Sequence, residues 1–246
     1  MRPSVPEIHI TDPHDADLAK YRVLAGQAIL GLLFGLLAPL ALVDPMLWGM
    51  PALGVIFSGW ALRRIRKNVP AMTGGKMALT GLVLSLFFLS AAPANWLVYR
   101  STIRNEARQF AELWFKYLTH DEPQKAYQLM IGPQFRRPLD DRLWDYYRSD
   151  PESRKSLEEC LERPLIRTLL ALGQRGQVRF YQTIGQTRRR NAERISQLYA
   201  VTYEEKNERK SFFVLLQMAR TKLPGGGADW YIDIDQSAGG VRPEGW

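Results

Sequence analysis

Three stretches without a single charged side chain constrain this chain more than anything else in it. VLAGQAILGLLFGLLAPLALV lies between Arg22 and Asp44, PMLWGMPALGVIFSGWAL between Asp44 and Arg63, and MALTGLVLSLFFLSAAPANWLVY between Lys76 and Arg100. A bilayer's hydrocarbon core takes about 20 apolar residues of helix, with roughly 17 to 25 tolerated. A helix packed into a water-soluble core keeps a polar face, and these runs have none. They predict transmembrane helices over about 23–43, 46–62 and 77–98, the middle one the shortest and carrying Pro51 and several glycines. A signal peptide fits poorly. The first run is too long for an h-region and ends without small cleavage-site residues, and the Ala92-Pro93-Ala94 pattern follows two earlier runs.

The densest basic cluster, Arg63, Arg64, Arg66, Lys67 and Lys76, falls between the second and third runs. Lys and Arg in a short loop beside a span mark the cytoplasmic side. The polar leader 1–22 is then cytoplasmic too, the Asp44-Pro45 turn is outside, and everything after the third span is extracytoplasmic, as expected of a multi-pass inner-membrane protein. Tyr21 and Trp60 fall at inner ends and Trp48, Trp96 and Tyr99 at outer ends, where amphipathic rings favour the interface. Arg100, Arg104 and Arg108 oppose this orientation but are interrupted by Glu106. Gly31 and Gly35 form a GxxxG pair and Gly54-Ser58 a second small-residue step, which suit close helix approach or self-association. Glycine is also simply common in membrane helices.

A mean hydropathy of −0.23 and 24% charged residues would describe an ordinary soluble protein, so composition averages over two unlike halves. The net charge of +8 is shared between them, which gives little support to nucleic-acid binding. Cys160 is the only cysteine, excluding an intramolecular disulfide and a thiolate-rich metal site. His9, His14 and His120 have no helical metal-ligand spacing, and no metal or cofactor is expected.

GVIFSGWALRRIRKNVPAMTGGKMALTGLVLSL resembles the bacterial membrane domain known as domain of unknown function 4190. The likeness rests on Ala61 to Lys67 and on Gly74 to Leu82, and covers about the first 100 residues; Lys76 and Met77 stand where that family usually has a Gly-Arg-Gly or similar step. It implies a membrane anchor and supplies no catalytic residues.

The tail over 100–236 reads as helices followed by strands. Ile103, Ala107, Phe110, Trp114, Tyr117 and Leu118 recur at helical spacing; Asp121 and Pro123 start a second helix; a capping box at Ser149 to Glu152, a break at Pro164 and a stop at Gly173 frame a third region. The period then changes to two. Val178, Phe180 and Ile184, then Ile195 to Tyr203, Phe212 to Met218, and Trp230 to Ile234 predict four antiparallel strands, with Glu204 to Lys210 a hairpin connection and Pro224 to Gly227 a loop. Residues 237–246 are expected to be a flexible tail. The order predicts an α+β layer with helices on the apolar face of a bent sheet. With FAELWFKYLTHDEPQKAYQLMIGPQFR, and Ala126, Tyr127, Leu129 and Phe135 in particular, it resembles the nuclear transport factor 2-like cone fold. Members of that fold include ligand-binding modules, ketosteroid isomerase relatives and pure interaction domains, so the resemblance does not select a function.

Sheet parity nominates Gln182 and Gln197, with the hydroxyls of Tyr199 and Tyr203, as inward polar groups for a pocket. Amides and phenols orient a ligand but make poor general bases, so no catalytic residue is assigned. Asp233 and Asp235 fall on the opposite parity, and His120-Asp121-Glu122 reads as a turn whose Asp caps a helix. Arg188, Arg189, Arg190 and Arg194 could meet anionic lipid or phosphate, or form a solvated loop; no interleaved aromatics point to RNA. Cys160, beside Leu157, Leu161 and Leu165, should be buried and slow to react. The expected function is a membrane-anchored module binding a small ligand or an envelope protein. The rivals are a tethered isomerase or hydrolase and a structural assembly protein.

Overall fold

The computed structural model describes residues 23–67, 72–189 and 192–241. The leader with His9, His14 and Tyr21, the loop centre around Asn68, Arg190 and the last five residues lie outside them. The chain divides into two compact units, Met1–Arg100 and Ser101–Trp246.

In the first unit α1 (Gly26–Leu37) runs into a 3-10 segment, Ala38–Leu42. The expected single helix over 23–43 therefore begins later and tightens at its end, where Pro39 has no N–H to continue the α ladder. Asp44 then caps a second 3-10 turn, Pro45–Trp48, by accepting from Met46 N at 2.8 Å, and α2 (Gly49–Lys67) follows. The third helix, α3 (Gly75–Thr119), differs most from expectation. The third span and the first helix of the tail are one 45-residue element, with Pro93 inside it. Two stretches, Pro45–Lys67 and Gly75–Thr119, are long and apolar enough to cross a membrane; Gly26–Leu42 is a shorter apolar helix.

The three helices described in this unit meet through their smallest residues. A Cβ placed on Gly81 would lie 2.6 Å from Gly31 O, and one on Gly35 would lie 2.9 Å from Gly81 O. Gly54 faces Ser85 in the same manner, and Gly31 faces Ser58. Both glycines expected to serve self-association are thus buried against the chain's own helices. Phe34 and Phe57 stack at 5.6 Å, and the parallel bridge of β1 (Val23–Leu24) with β2 (Met72–Thr73) ties the starts of α1 and α3 together.

The second unit is α+β. After α3 come α4 (Pro123–Gln128), α5 (Leu143–Ser149), α6 (Pro151–Leu161) and α7 (Pro164–Leu172), more helical pieces than the spacing predicted. The cap of α6 is Asp150, whose carboxylate accepts from Ser153 N, rather than Ser149; Pro151 at the first helical position leaves no box to close from Ser149. Gly173 ends α7 at φ +51°, a left-handed geometry that glycine adopts cheaply.

The sheet is an antiparallel meander, β3 (Gln177–Arg189), β4 (Ala192–Glu205), β5 (Glu208–Lys222) and β6 (Ala228–Ile232). Lys206 and Asn207 turn between β4 and β5 with positive φ at both, the two-residue hairpin geometry that matches strand twist. Ile232 N donates to Leu129 O, so a loop partner covers part of the β6 edge. Beyond 236, where a flexible tail was expected, β7 (Ala238–Gly239) pairs with Leu215 and Val214 of β5. Arg136 fastens the α4–α5 connection to β6 by donating to Asp229 at 2.9 Å and to Gln128 O at 3.0 Å. The core between α3, α7 and the sheet is large and aromatic, built on Trp114, Phe115, Leu118, Tyr199, Leu216 and Met218.

Candidate functional site

The inner face of the sheet follows the predicted alternation until β3 breaks it. Val178 pairs with Val201 and Phe180 with Tyr199, but Tyr181 and Ile184 are each an extra residue against β4, so Gln182 pairs with Leu198 and Thr183 takes the place opposite Gln197. A bulge inserts one residue on one strand only and flips every side chain beyond it. Gln182 is therefore exposed, and Thr183 is the inward residue.

Gln197 and Tyr199 do point inward, where both are 0% accessible and bonded to each other. Tyr199 donates to Gln197 Oε1 at 2.6 Å, and the Gln197 amide donates to Arg104 O at 3.0 Å and toward Thr183 Oγ1 at 3.4 Å. Burial holds the Tyr199 hydroxyl far above the ordinary phenol range. Phe115 and Phe180 pack their rings on Tyr199 at 5.0 and 5.8 Å. These polar groups satisfy one another inside a filled core and do not line an opening. Tyr203, half-buried at the far end of β4, belongs to a different surface described below.

Charge enters this inner face one step beyond the apolar pattern. Arg188, Glu193, Arg220 and Trp230 are successive register partners across all four strands. Glu193 is 7% accessible and accepts from Gln186 Nε2 at 2.8 Å; Gln186 accepts in turn from Arg104 Nε at 3.2 Å. From α3, Glu106 pairs with Arg220 at 3.3 Å and accepts from Trp230 Nε1 at 3.4 Å. The sequence carried a signal for this row: Glu193 shares the parity of Ile195, and Arg220 that of Met218. Ending each strand pattern at its last apolar residue hid it. Chemically the row is an alternation of opposite charges that ties α3 to the sheet, because each carboxylate has a donor and a cation as neighbour.

Two open grooves flank α7 on the outside of the unit. One, of about 500 Å³, runs between Arg167, Thr168 and Leu172 of α7 and Tyr203 and Glu205 of β4. The other, of about 340 Å³, lies between Pro164 and Leu165 on one side and Ile234, Asp235 and Ser237 on the other. Arg163 bridges to Asp235 at 2.6 Å across its rim. β6 stops at Ile232, so Asp235 sits on a 3-10 turn and not on a fourth-strand continuation.

The remaining candidates are placed plainly. The His120 ring is 2.9 Å from Lys116 O at the end of α3, and Asp121 takes φ +59° in the turn without capping α4. Arg194 is exposed on β4. Among the described residues no group of three or more His, Cys, Asp and Glu gathers to hold a metal. Cys160 is buried, its sulfur 3.8 Å from that of Met130, and burial pushes its thiol up to about 11. No family model, curated protein or solved structure matches the chain.

Proposed function

We propose that the chain is a three-span membrane anchor presenting an extracytoplasmic domain of nuclear transport factor 2-like type, whose task is to bind a protein partner along the grooves beside α7. The anchor reading is supported by the outward-facing leucines, isoleucines and phenylalanines of the first unit, such as Leu36 and Phe87, each 62% accessible. The short first helix is long enough. Twelve α residues and five 3-10 residues rise about 28 Å, against a hydrocarbon core of about 30 Å. The basic end of the helices and the position of Trp48 and Trp96, edge to face at 6.1 Å, favour the cytoplasmic leader and extracytoplasmic domain.

One observation carries the binding reading. The inward Gln197 and Tyr199 have no accessible surface, whereas the α7 grooves are open and offer an arginine, a carboxylate, hydroxyls and apolar surface together. Such mixed, shallow surfaces suit a polypeptide more than an enclosed small molecule. The test places a photo-crosslinking residue at Thr168, and at exposed Gln182 as a control, in the full chain in its native membranes. A discrete adduct from Thr168 that disappears with Arg167→Glu is expected. Adducts only from Gln182, or a Thr168 adduct indifferent to Arg167→Glu, would overturn the assignment. A reporter fused after Trp246 should be extracytoplasmic; a cytoplasmic reporter would refute the orientation.

A further inference from the structure

Among the described residues of the first unit, Arg63, Arg64, Arg66, Lys67 and Lys76 are gathered at one end, and none of them is paired with a carboxylate there. Ala25 and Ala28 of the α1 start, Ala61 and Ile65 near the end of α2, and Ala78 at the start of α3 form one buried cluster. That cluster puts the end of α2 beside the starts of the other two helices, so Arg63, Arg64, Arg66 and Lys67 share a level with Lys76. All five side chains are exposed. The sole carboxylate between residues 23 and 100 is Asp44, occupied with Met46 N and separated from Lys67 by the length of α2, about 28 Å. Arg64 donates to Gln27 Oε1 at 3.3 Å, a neutral partner that leaves its charge in place. The N-termini of α1 and α3 bring partial positive charges to the same end, and the C-terminus of α2 a partial negative one. Just beneath lie the outward-facing Ile29, Ile56, Trp60 and Leu79. A long basic side chain there can lay its stem on apolar surface and lift its head to phosphate level.

We propose that this basic end, Arg63, Arg64, Arg66 and Lys67 of α2 with Lys76 of α3, is a binding surface for the phosphate headgroups of anionic phospholipids, so that the anchor gathers such lipids around it. This rests on the membrane reading above but asks more of it: orientation needs only an excess of basic residues, whereas lipid selection needs them exposed and level with one another. The full chain, assembled in nanodiscs of equal phosphatidylglycerol and phosphatidylcholine, is examined by native mass spectrometry for the lipid that stays bound on stripping. Phosphatidylglycerol is expected to predominate, and each cation removed in the series R63Q, R66Q and K67Q to lower that preference about fivefold at low salt. R63K/R66K should retain the preference, and R154Q/K155Q, the same charge change on the other unit, should leave it untouched. Should the glutamine variants fail to accumulate, salt titration of the unaltered chain decides: the preference must fall as ionic strength rises. Equal retention of both lipids, a salt-insensitive preference, or loss in R154Q/K155Q overturns the inference while leaving the anchor intact. Release of the chain from native membranes by alkaline carbonate would overturn the anchor reading itself.

Discussion

The two units solve burial in opposite ways. In Ser101–Trp246 the core is made of large side chains: Trp114, Tyr199, Leu118 and Met218 have almost no accessible surface, although Phe135 and Trp144 stay exposed. Among the described residues of Met1–Arg100 the buried ones are mostly small, Ala28, Ala38, Ala61, Ala78, Ser58 and Ser85 among them, together with glycines, while many leucines and Phe87 face out. Water drives large apolar groups together, so a domain in water hides them. Hydrocarbon exerts no such drive between helices, and small residues there win by letting backbones touch. The contrast teaches that the apolar content of a segment says less about its surroundings than which of its apolar residues are buried.

The sharpest way to break that comparison is to remove a large core side chain. Trp114→Ala should destabilise the second unit by about 3–5 kcal/mol, seen as a lower thermal midpoint by near-ultraviolet circular dichroism of the detergent-solubilised chain. A loss under about 1 kcal/mol would mean that the aromatic core is not what holds this unit. The matching experiment in the first unit adds an atom instead. Gly81→Ala must push Gly31 O away and should cost about 1–3 kcal/mol, whereas Gly59→Ala, with open space around it, should be nearly silent. Equal effects from the two would refute small-residue packing.

Gln197→Leu probes the buried polar group of the second unit. It leaves the Tyr199 hydroxyl without its acceptor and should cost about 1–2 kcal/mol, largely recovered in the double variant with Tyr199→Phe; no recovery would show that the hydrogen bond is not the reason. The smallest effect concerns pH. Cys160 and Tyr147 are raised by burial, from ordinary values near 9 and 10 to about 11 and about 12. Their protonated forms are favoured by folding, so this contribution is fully present below pH 9 and is lost as pH rises through these folded values. Thiol alkylation at pH 8 should accordingly be slow until denaturant is added; fast labelling of the native chain would show the α6 stripe to be open.

Much of this was legible along the chain. Uncharged runs, the period-two strands, the Lys206-Asn207 turn within its polar connection and the burial of Cys160 are local patterns, and local patterns survive folding. The boundary near Arg100 misled because a change from uncharged to charged side chains reads as the end of a span, yet α3 runs on through it as one helix to Thr119. Gln182 misled because alternation was counted on β3 alone.

The sequence by itself determined where the apolar helices and the sheet strands run, since backbone propensity and hydrophobic period act over a few residues. Only the tertiary structure decided which faces meet. A bulge at Tyr181 or Ile184 is a relation between two strands, and neither strand's own pattern contains it. The row from Arg188 to Trp230 exists only once four strands are in register, and the five cations become one surface only when the alanines at residues 25, 28, 61 and 78 bring three helix ends together. Register and helix contact depend on partners distant in the chain, and the free energy that selects them is that of packing the whole unit.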